Sequence, residues 1–494
     1  MERVVNPGPT DRTLLLSQHE HKSELLWKFE LSFSSLMRTV RMNDAWNLFR
    51  LHRPHGRVEE ILRRSGLYDV VCVGRMQYNR ALVTVMGERW WSETHCFHLP
   101  FGEVTITLQD VHVLFGLRID GDVVYMQDVA RRIRSWRTLL ETLTGCDIAP
   151  ADMDGASRVR LQVDPIGDAT PVERVEKISR LYMFVILGGI LFPNTSRNLI
   201  SLQYLAFLDP IHDVGKYSWG SAVLTYLYRA LCRASIGDVV DISGFIPLLQ
   251  VWCWERILHV QPSAPPPHDG DVLLPYARRW TRGIDRDTES HHVLIPIRDQ
   301  LDRLTNDQLR WTPYNEILHT LPRCCTVDEP LWMACVPMFC LKIVEVHAPD
   351  RVVRQFGRPQ HIPVIPSWGT NHHVEESPTT IIEDIVPTVN EDPDVTQIHT
   401  TEPSSTVEES PTTIIEDIVS TVNEDPDVTQ VYIQTTGPSS TVDSSPTTII
   451  EDIVPTVNED PDVTQTTLSP LSSPDVTFII PVDDMPQTPG RKNC

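Results

Sequence analysis

Apolar residues recur at helical spacing through most of the chain between residues 21 and 368, a pattern typical of amphipathic and buried helices. The spacing is clearest in four segments: residues 58–67, 80–90, 135–143 and 218–233. The longest apolar run, residues 181–192, suits a buried core helix and falls short of the roughly 18 residues that a membrane-spanning helix needs. We therefore predict a mainly helical globular domain over residues 21–368.

Two helix starts carry local capping signals. Thr170 is followed by proline and then, at the third position, by Glu173, which predicts a capping box with Thr170 as the N-cap. Thr107 and Asp110 repeat this spacing before a short apolar segment that stops at Gly116. A glycine there suits the left-handed conformation that commonly ends a helix.

One short stretch has the alternation and flanking turn residues of a β-hairpin. Residues 95–99 and 103–107 flank the turn Pro100-Phe101-Gly102, and two such runs joined by a short turn predict paired antiparallel strands. The predicted fold class is a mainly α-helical globular domain with a small β-hairpin element, followed by a disordered acidic repeat tail.

Both ends of the chain depart from this pattern. Residues 1–20 are polar, and residues 369–494 are rich in Pro, Ser, Thr and acidic residues, so both are predicted to be disordered. The tail holds three copies of the segment SPTTIIEDIVPTVNEDPDVTQ, the second with one substitution, at residues 377–397, 410–430 and 445–465. Each copy has too few large apolar residues to bury a face, which argues against a helical solenoid.

The net charge of −23 comes almost entirely from the tail. Residues 371–494 hold 24 acidic residues against two basic ones, whereas residues 1–370 hold 42 against 41 and contain all 12 tryptophans. The near-neutral first part does not favour a nonspecific nucleic-acid-binding face. A polar N-terminus and ten cysteines without a secretory signal favour a cytosolic or nuclear protein with reduced thiols and no membrane association.

Candidate metal-binding and catalytic motifs are incomplete. One set of potential metal ligands is His95, Cys96, His98 and His112. Strand alternation places successive ligands on opposite faces, so we predict no metal site. Of the six lysines, Lys216 is the best candidate for a Schiff base, yet it lacks the glycine-rich phosphate cradle of a pyridoxal-phosphate site. We predict no enzymatic activity and no cofactor.

The most basic run of the chain surrounds Trp136. Its arginines are Arg131, Arg132, Arg134 and Arg137. Such a run would contact nucleic-acid phosphates, with the tryptophan available for stacking. A solvated helix face is the interpretation that we favour, and a nuclear import patch is a further alternative.

Several blocks of the chain, taken in order, resemble the plant mobile domain. The longest are WSETHCFHLPFGEVTITLQDV at residues 91–111, LGGILFP at 187–193, LQVWCWER at 249–256 and PDRVVRQFG at 349–357. With shorter matches between them they cover residues 25–366. The chain is thus similar to a family that includes the MAINTENANCE OF MERISTEMS and MAIN-LIKE proteins.

The resemblance implies a nuclear protein related to domains carried by transposable elements. It implies action through protein complexes in meristem maintenance, gene-expression regulation and transposon silencing. Some relatives carry a fused metallophosphatase domain or act with a phosphatase-like partner, and here an acidic repeat tail stands in that position. The alternatives are a transposon-derived protein that contacts nucleic acid through the arginine-rich run and a degenerate enzyme.

The resembling blocks also hold polar residues among apolar neighbours. Because buried polar groups need partners, we expect some of them to form one internal ion-pair or hydrogen-bond network. A catalytic centre is the alternative. These residues are Glu93, His95, Glu103, Arg229, Glu255 and Arg256.

Each tail repeat begins with a Ser-Pro pair, and its serine is a candidate phosphorylation site. The serines are Ser377, Ser410 and Ser445. The run Ile-Ile-Glu-Asp-Ile-Val that follows has the composition of peptides that add a strand to the sheet edge of a partner, as SUMO-interacting segments do. A solvated acidic spacer is the alternative.

Overall fold

The fold is described from a computed structural model. It describes residues 5–9, 15–28, 36–39, 43–51, 53–126, 136–146, 159–162, 166–194, 199–262, 275–281, 294–320, 329–361, 430–435 and 475–479. Two short strands are therefore the described part of the tail. The prediction of tail disorder and the three repeats otherwise fall outside the described residues.

Helices make up most of the regular structure, which confirms the mainly helical prediction. In chain order the α-helices are α1 (Lys22–Trp27), α2 (Asn43–Leu51), α3 (Gly56–Arg64), α4 (Tyr68–Val73), α5 (Arg80–Gly87), α6 (Leu108–Phe115), α7 (Trp136–Thr144), α8 (Val172–Val185), α9 (Trp219–Ala234), α10 (Ile246–Arg256) and α11 (Leu294–Asp302). Within the described residues, no helix has the length and apolar character required to cross a membrane.

The strands are short and belong to small sheets. They are β1 (Arg38–Thr39), β2 (Trp90–Trp91), β3 (Cys96–Leu99), β4 (Gly102–Val104), β5 (Val124–Tyr125), β6 (Val159–Gln162), β7 (Leu199–Ser201), β8 (Asp241–Ile242), β9 (Val336–Leu341), β10 (Ile343–His347), β11 (Gln430–Thr435) and β12 (Asp475–Ile479). Strands β2, β3 and β4 form an antiparallel sheet, with Phe97 facing Trp90 on one side and Val104 on the other.

The remaining sheets join parts of the chain that are distant in sequence. Strand β9 pairs antiparallel with β10 and parallel with β5, and β1 pairs parallel with β8. In the fourth sheet the order is β6-β12-β11-β7, so the two tail strands lie between β6 and β7, with every pair antiparallel.

The core is built around helices that are buried on every side. Every residue of α6 and of α10 is buried, as expected for central helices that contact neighbours all around. The largest fully buried apolar side chains include Trp252 of α10 itself and Trp90, Trp219, Tyr228 and Phe97 from other elements. This core positions the polar residues that the sequence singles out.

The predicted hairpin and the predicted cap of α6 are confirmed, although the hairpin strands are shorter than predicted: the first begins at Cys96 and the second ends at Val104. Leu99 pairs with Gly102 across the turn. The Thr107 amide and hydroxyl both donate to the Asp110 carboxylate, at 2.7 and 2.8 Å. Helix α6 ends at Gly116, whose φ of 66° is left-handed. Local signals of this kind act over three or four residues, so they can be recognised in the sequence alone.

The predicted capping box of α8 is wrong. Pro171, with extended backbone angles, occupies the N-cap position, so Thr170 lies one residue too early. The Thr170 hydroxyl instead accepts a hydrogen bond from the Gly167 amide at 3.0 Å, and Glu173 pairs with Lys177 at 2.9 Å. Proline cannot donate an amide hydrogen, and the N-cap position needs none.

Candidate functional site

His95 lies where the hairpin meets the core. It precedes β3 and has a φ of 49°, a left-handed conformation that is uncommon outside glycine. Its Nε2 atom lies 2.9 Å from Oε2 of Glu345, and Oε1 of the same carboxylate lies 2.9 Å from Nε of Arg229. Glu345 is buried in β10. The structure thus brings His95 and Arg229 together through an acidic residue outside the predicted set.

Further hydrogen bonds and a ring contact hold the side chains around His95 and Glu345 in place. Nδ1 of His95 lies 3.2 Å from the Val346 carbonyl, and since a carbonyl only accepts, this nitrogen donates. The Trp90 indole donates to Sγ of Cys232 at 3.3 Å and stacks with the His95 ring. Burial, reinforced by the Glu345 carboxylate, raises the pKa of Cys232 well above its usual range. The Cys232 thiol is therefore protonated at neutral pH unless a cation replaces its proton.

Within the described residues, one group of histidine, cysteine and acidic side chains places its ligand atoms close enough for a metal ion. The group is His95, Cys232 and Glu345, whose ligand atoms all lie within 4.8 Å of one another. Imidazole, thiolate and carboxylate are the three ligand types that zinc binds in proteins.

Glu103 belongs to a separate cluster and lies in β4, opposite His98 of β3. Its two carboxylate oxygens accept from Arg351 at 2.9 and 2.8 Å, a bidentate arrangement. Nε2 of His98 lies 3.5 Å from the same carboxylate. Burial lowers the pKa of His98 to about 4, so its ring is neutral at pH 7. Glu93 is exposed and acts on His98 electrostatically.

Arg256 and Glu255 are adjacent in sequence but lie in different pairs. Arg256 donates to Oδ1 of Asp110 at 2.8 Å, and the Tyr314 hydroxyl donates to the same oxygen at 2.7 Å. Both side chains of this ion pair are completely buried. The Glu255 carboxylate accepts from Arg279 at 2.9 Å and from the Trp280 indole at 2.5 Å.

The match that identifies the family covers most of this core. A family model described as the plant mobile domain matches residues 66–403. The chain belongs to the plant mobile domain family. No solved structure is significantly similar to it.

Three relatives from Arabidopsis thaliana illustrate the range of the family. "Serine/threonine-protein phosphatase 7 long form homolog" is 36% identical over 378 residues, which are 73% of this chain and 27% of that protein. "Protein MAIN-LIKE 1" is 28% identical, with 73% and 69% covered. "Protein MAINTENANCE OF MERISTEMS" is 29% identical, with 64% and 65% covered. The chain therefore spans only about a quarter of the phosphatase-named relative.

The six polar residues of the plant mobile domain thus lie in four groups rather than around one point. His95 and Arg229 meet at Glu345, and Glu93 and Glu103 both act on His98. Glu255 and Arg256 each have their own partners. The residues that sequence reasoning missed are Cys232, Glu345, Asp110 as an ion-pair partner, and Arg351. Glu345 had one signal, since it is a carboxylate within the apolar strand sequence Ile-Val-Glu-Val-His.

Other candidate sites of the plant mobile domain protein lie elsewhere. Arg131, Arg132 and Arg134, the Arg137 side chain, and Ser377, Ser410 and Ser445 are outside the described residues. Lys216, the Schiff-base candidate, forms an ion pair with Asp213. That pairing raises the pKa of Lys216, the opposite of what an amine nucleophile needs.

Proposed function

We propose that this chain is a non-enzymatic nuclear protein that acts through protein complexes in gene-expression regulation, including meristem maintenance and transposon silencing. The proposal rests on family membership, on the names of the MAIN-LIKE and MAINTENANCE OF MERISTEMS relatives, and on how the motif residues are used. The observation that carries its non-enzymatic part is the pairing of the motif carboxylates and arginines with one another inside the fold.

These pairs connect segments far apart in sequence. Arg256 meets Asp110 across 146 residues, and Arg351 meets Glu103 across 248. Groups held this way would have to break an ion pair before contacting a substrate. For the completely buried Arg256–Asp110 pair this would leave an unpaired buried charge, which is strongly destabilising. Residues paired in this way suit a structural role, in which they support an interaction surface, better than a catalytic role.

We also propose a phosphatase-like protein as one partner. The phosphatase-named relative matches this chain over only 27% of its own length, so most of that protein lies outside the shared region. A module that occurs together with further sequence in one protein is a reasonable candidate for association with a separate chain in another.

The test is affinity purification of the tagged full-length chain from plant nuclei, compared with a chain that lacks residues 369–494. We expect nuclear proteins, including a phosphatase-like one, to co-purify reproducibly with the full-length chain. A variant with Arg64→Ala, which removes only an exposed ion pair with Glu60, serves as the matched control. Residence of the tagged chain outside the nucleus would overturn the proposal.

Nucleic-acid contact through Arg131, Arg132, Arg134 and Arg137 is the second candidate, and the concentration of four arginines around Trp136 favours it. Salt-dependent binding of DNA or RNA, lost when the four arginines become alanine, would support it. Lack of binding at low salt would exclude it and leave the protein-complex proposal in place.

A further inference from the structure

We propose that His95, Cys232 and Glu345 form a zinc(II) site that joins the hairpin, α9 and β10. Each ligand comes from a different element: His95 precedes β3, Cys232 lies in α9, and Glu345 lies in β10. Their ligand atoms lie within 4.8 Å of one another. His95 and Glu345 are buried, and Cys232 is partly exposed as a residue.

The orientation of the histidine ring matches that of a metal ligand. Nδ1 of His95 donates to the Val346 carbonyl at 3.2 Å, which leaves Nε2 directed at the Glu345 carboxylate. Histidines that bind metals typically donate their other ring nitrogen to a carbonyl or carboxylate in this way. The left-handed φ of His95 is a further cost that the fold sustains at this position.

The other two ligands also have a supporting shell. The Trp90 indole N–H points at Sγ of Cys232, a contact that stabilises a thiolate. Arg229 contacts Oε1 of Glu345 and so leaves Oε2 directed toward His95. Supporting hydrogen bonds of this type orient ligands and strengthen metal binding.

Zinc fits the ligand set better than a hard cation does. Magnesium and calcium prefer oxygen ligands, whereas one nitrogen, one sulfur and one oxygen suit a borderline-soft ion. At zinc bond lengths the ligand atoms of a tetrahedral site lie about 3.3–3.8 Å apart. Ligand atoms at the 4.8 Å limit would therefore approach by about 1.0–1.5 Å, whereas Nε2 of His95 and Oε2 of Glu345, 2.9 Å apart, would separate slightly to admit the ion. Three protein ligands leave the fourth position for water.

The binding step balances in protons and charge. Zinc forms one bond each to Nε2 of His95, Sγ of Cys232 and a carboxylate oxygen of Glu345. The thiol proton of Cys232, and any proton on Nε2 of His95, pass to solvent. Thiolate and carboxylate supply two negative charges to the dication, while the Arg229 guanidinium stays beside the other oxygen of the Glu345 carboxylate. Because the thiol must lose its proton, metal binding releases protons and strengthens as pH rises.

The experiment uses the purified full-length chain, freed of metal with a chelator and titrated with Co²⁺ and with Zn²⁺. We expect one equivalent to bind, with a cobalt–thiolate charge-transfer band. Cys232→Ser should abolish the band, and His95→Gln and Glu345→Gln should weaken affinity by more than about 10-fold. Cys253→Ser, which alters a buried cysteine in α10, is the matched control and should keep both band and stoichiometry.

Two further measurements keep the result independent of variant folding. Circular dichroism checks that each variant is folded, and mass spectrometry of the alkylated wild-type chain tests whether Zn²⁺ protects Cys232. Protection of Cys232 together with the cobalt–thiolate band would support the site. Substoichiometric metal in the wild-type chain, or equal affinity in a folded Cys232→Ser variant, would overturn it.

Discussion

At Asp110, a single carboxylate performs a local and a long-range role. One oxygen caps α6 through Thr107, three residues away, and the other accepts from Arg256 and Tyr314. The local role is visible in the sequence because its spacing is fixed by helix geometry. The long-range role depends on residues 146 and 204 positions away, and no spacing rule connects them.

Replacing Arg256 should therefore lower the free energy of unfolding strongly. Arg256→Ala leaves Asp110 as a buried charge without its cation, and we expect unfolding free energy to fall by about 3–5 kcal/mol. Tyr314→Phe removes one hydrogen bond to the same carboxylate and should cost about 1–3 kcal/mol. Urea denaturation measures both.

The exposed pair provides the control for this prediction. Arg64 donates to Glu60 with both side chains about two-thirds exposed or more, so Arg64→Ala should change stability by less than about 1 kcal/mol. If Arg256→Ala were no more destabilising than Arg64→Ala, the buried pair would not have the structural role assigned to it.

Three buried histidines predict acid sensitivity. Burial lowers the pKa of His21, His98 and His347 from the usual 6.5 to about 4 each. Between pH 6.5 and 4 the unfolded chain therefore binds more protons than the folded chain. The stability that these neutral histidines contribute is therefore fully present above pH 6.5 and is lost as pH falls toward 4.

His347 allows this prediction to be measured at one residue. Its Nε2 accepts from the Leu108 amide and its Nδ1 donates to the Ala334 carbonyl, so the folded state holds it neutral. His347→Gln should reduce the pH slope of stability in this range by up to about 1.4 kcal/mol per pH unit. The exposed His361→Gln is the control, and an unchanged slope in His347→Gln would contradict the prediction.

At the scale of elements, the start of α9 depends on a glycine. A Cβ at Gly220 would lie 2.8 Å from the Arg118 carbonyl and 2.9 Å from the Ile119 side chain. Helix α9 could then not approach residues 117–119 as it does. Gly220→Ala should destabilise the protein by about 1–3 kcal/mol, the usual cost of overpacking.

Gly56 is the matched position for this test. It also lies in the first turn of a helix, and a Cβ there would meet nothing within 4 Å. Gly56→Ala should be neutral or stabilising by up to about 1 kcal/mol. Thermal unfolding compares the two variants, and equal melting temperatures for Gly220→Ala and the wild-type chain would contradict the close approach.

Elements with local signals were predictable, apart from the cap of α8, which lies one residue later than predicted, and elements defined by distant partners were not. The hairpin around Gly102 and the cap at Thr107 follow from short motifs. Pairing of β5 with β9 joins Val124 to Cys340, and no sequence period specifies such a pair. The same limit applies to the site, because His95 and Arg229 stood out as polar exceptions whereas Cys232 resembled an ordinary core residue of α9.

At the scale of the whole molecule, the segment after β9 contacts the hairpin and the residues that follow it, and it supplies partners for their polar groups. Arg351 pairs with Glu103, Gln355 donates to and accepts from the Thr105 backbone, and His347 accepts from the Leu108 amide. Without this segment several buried polar groups of the hairpin would lack partners, and each such group costs about 1–3 kcal/mol.

Truncation tests the role of these contacts. A chain that ends after Leu341 should be insoluble or unfold without cooperativity, because it lacks β10 and the residues that follow. A chain that ends after His361 keeps every one of these contacts and should unfold cooperatively. Differential scanning calorimetry distinguishes the two, and cooperative unfolding of the shorter chain at the same temperature as the longer one would contradict the prediction.

Because these contacts join residues far apart in the sequence, they also determine when the domain can fold during synthesis. The Thr105 backbone and Gln355 are 250 residues apart, and at about 5–20 residues per second a ribosome needs roughly 12–50 s to make the intervening chain. During that interval the hairpin has been synthesised but the residues that it contacts have not. Completion of the domain is therefore tied to the end of its translation, and we expect the nascent chain to need protection from aggregation until then.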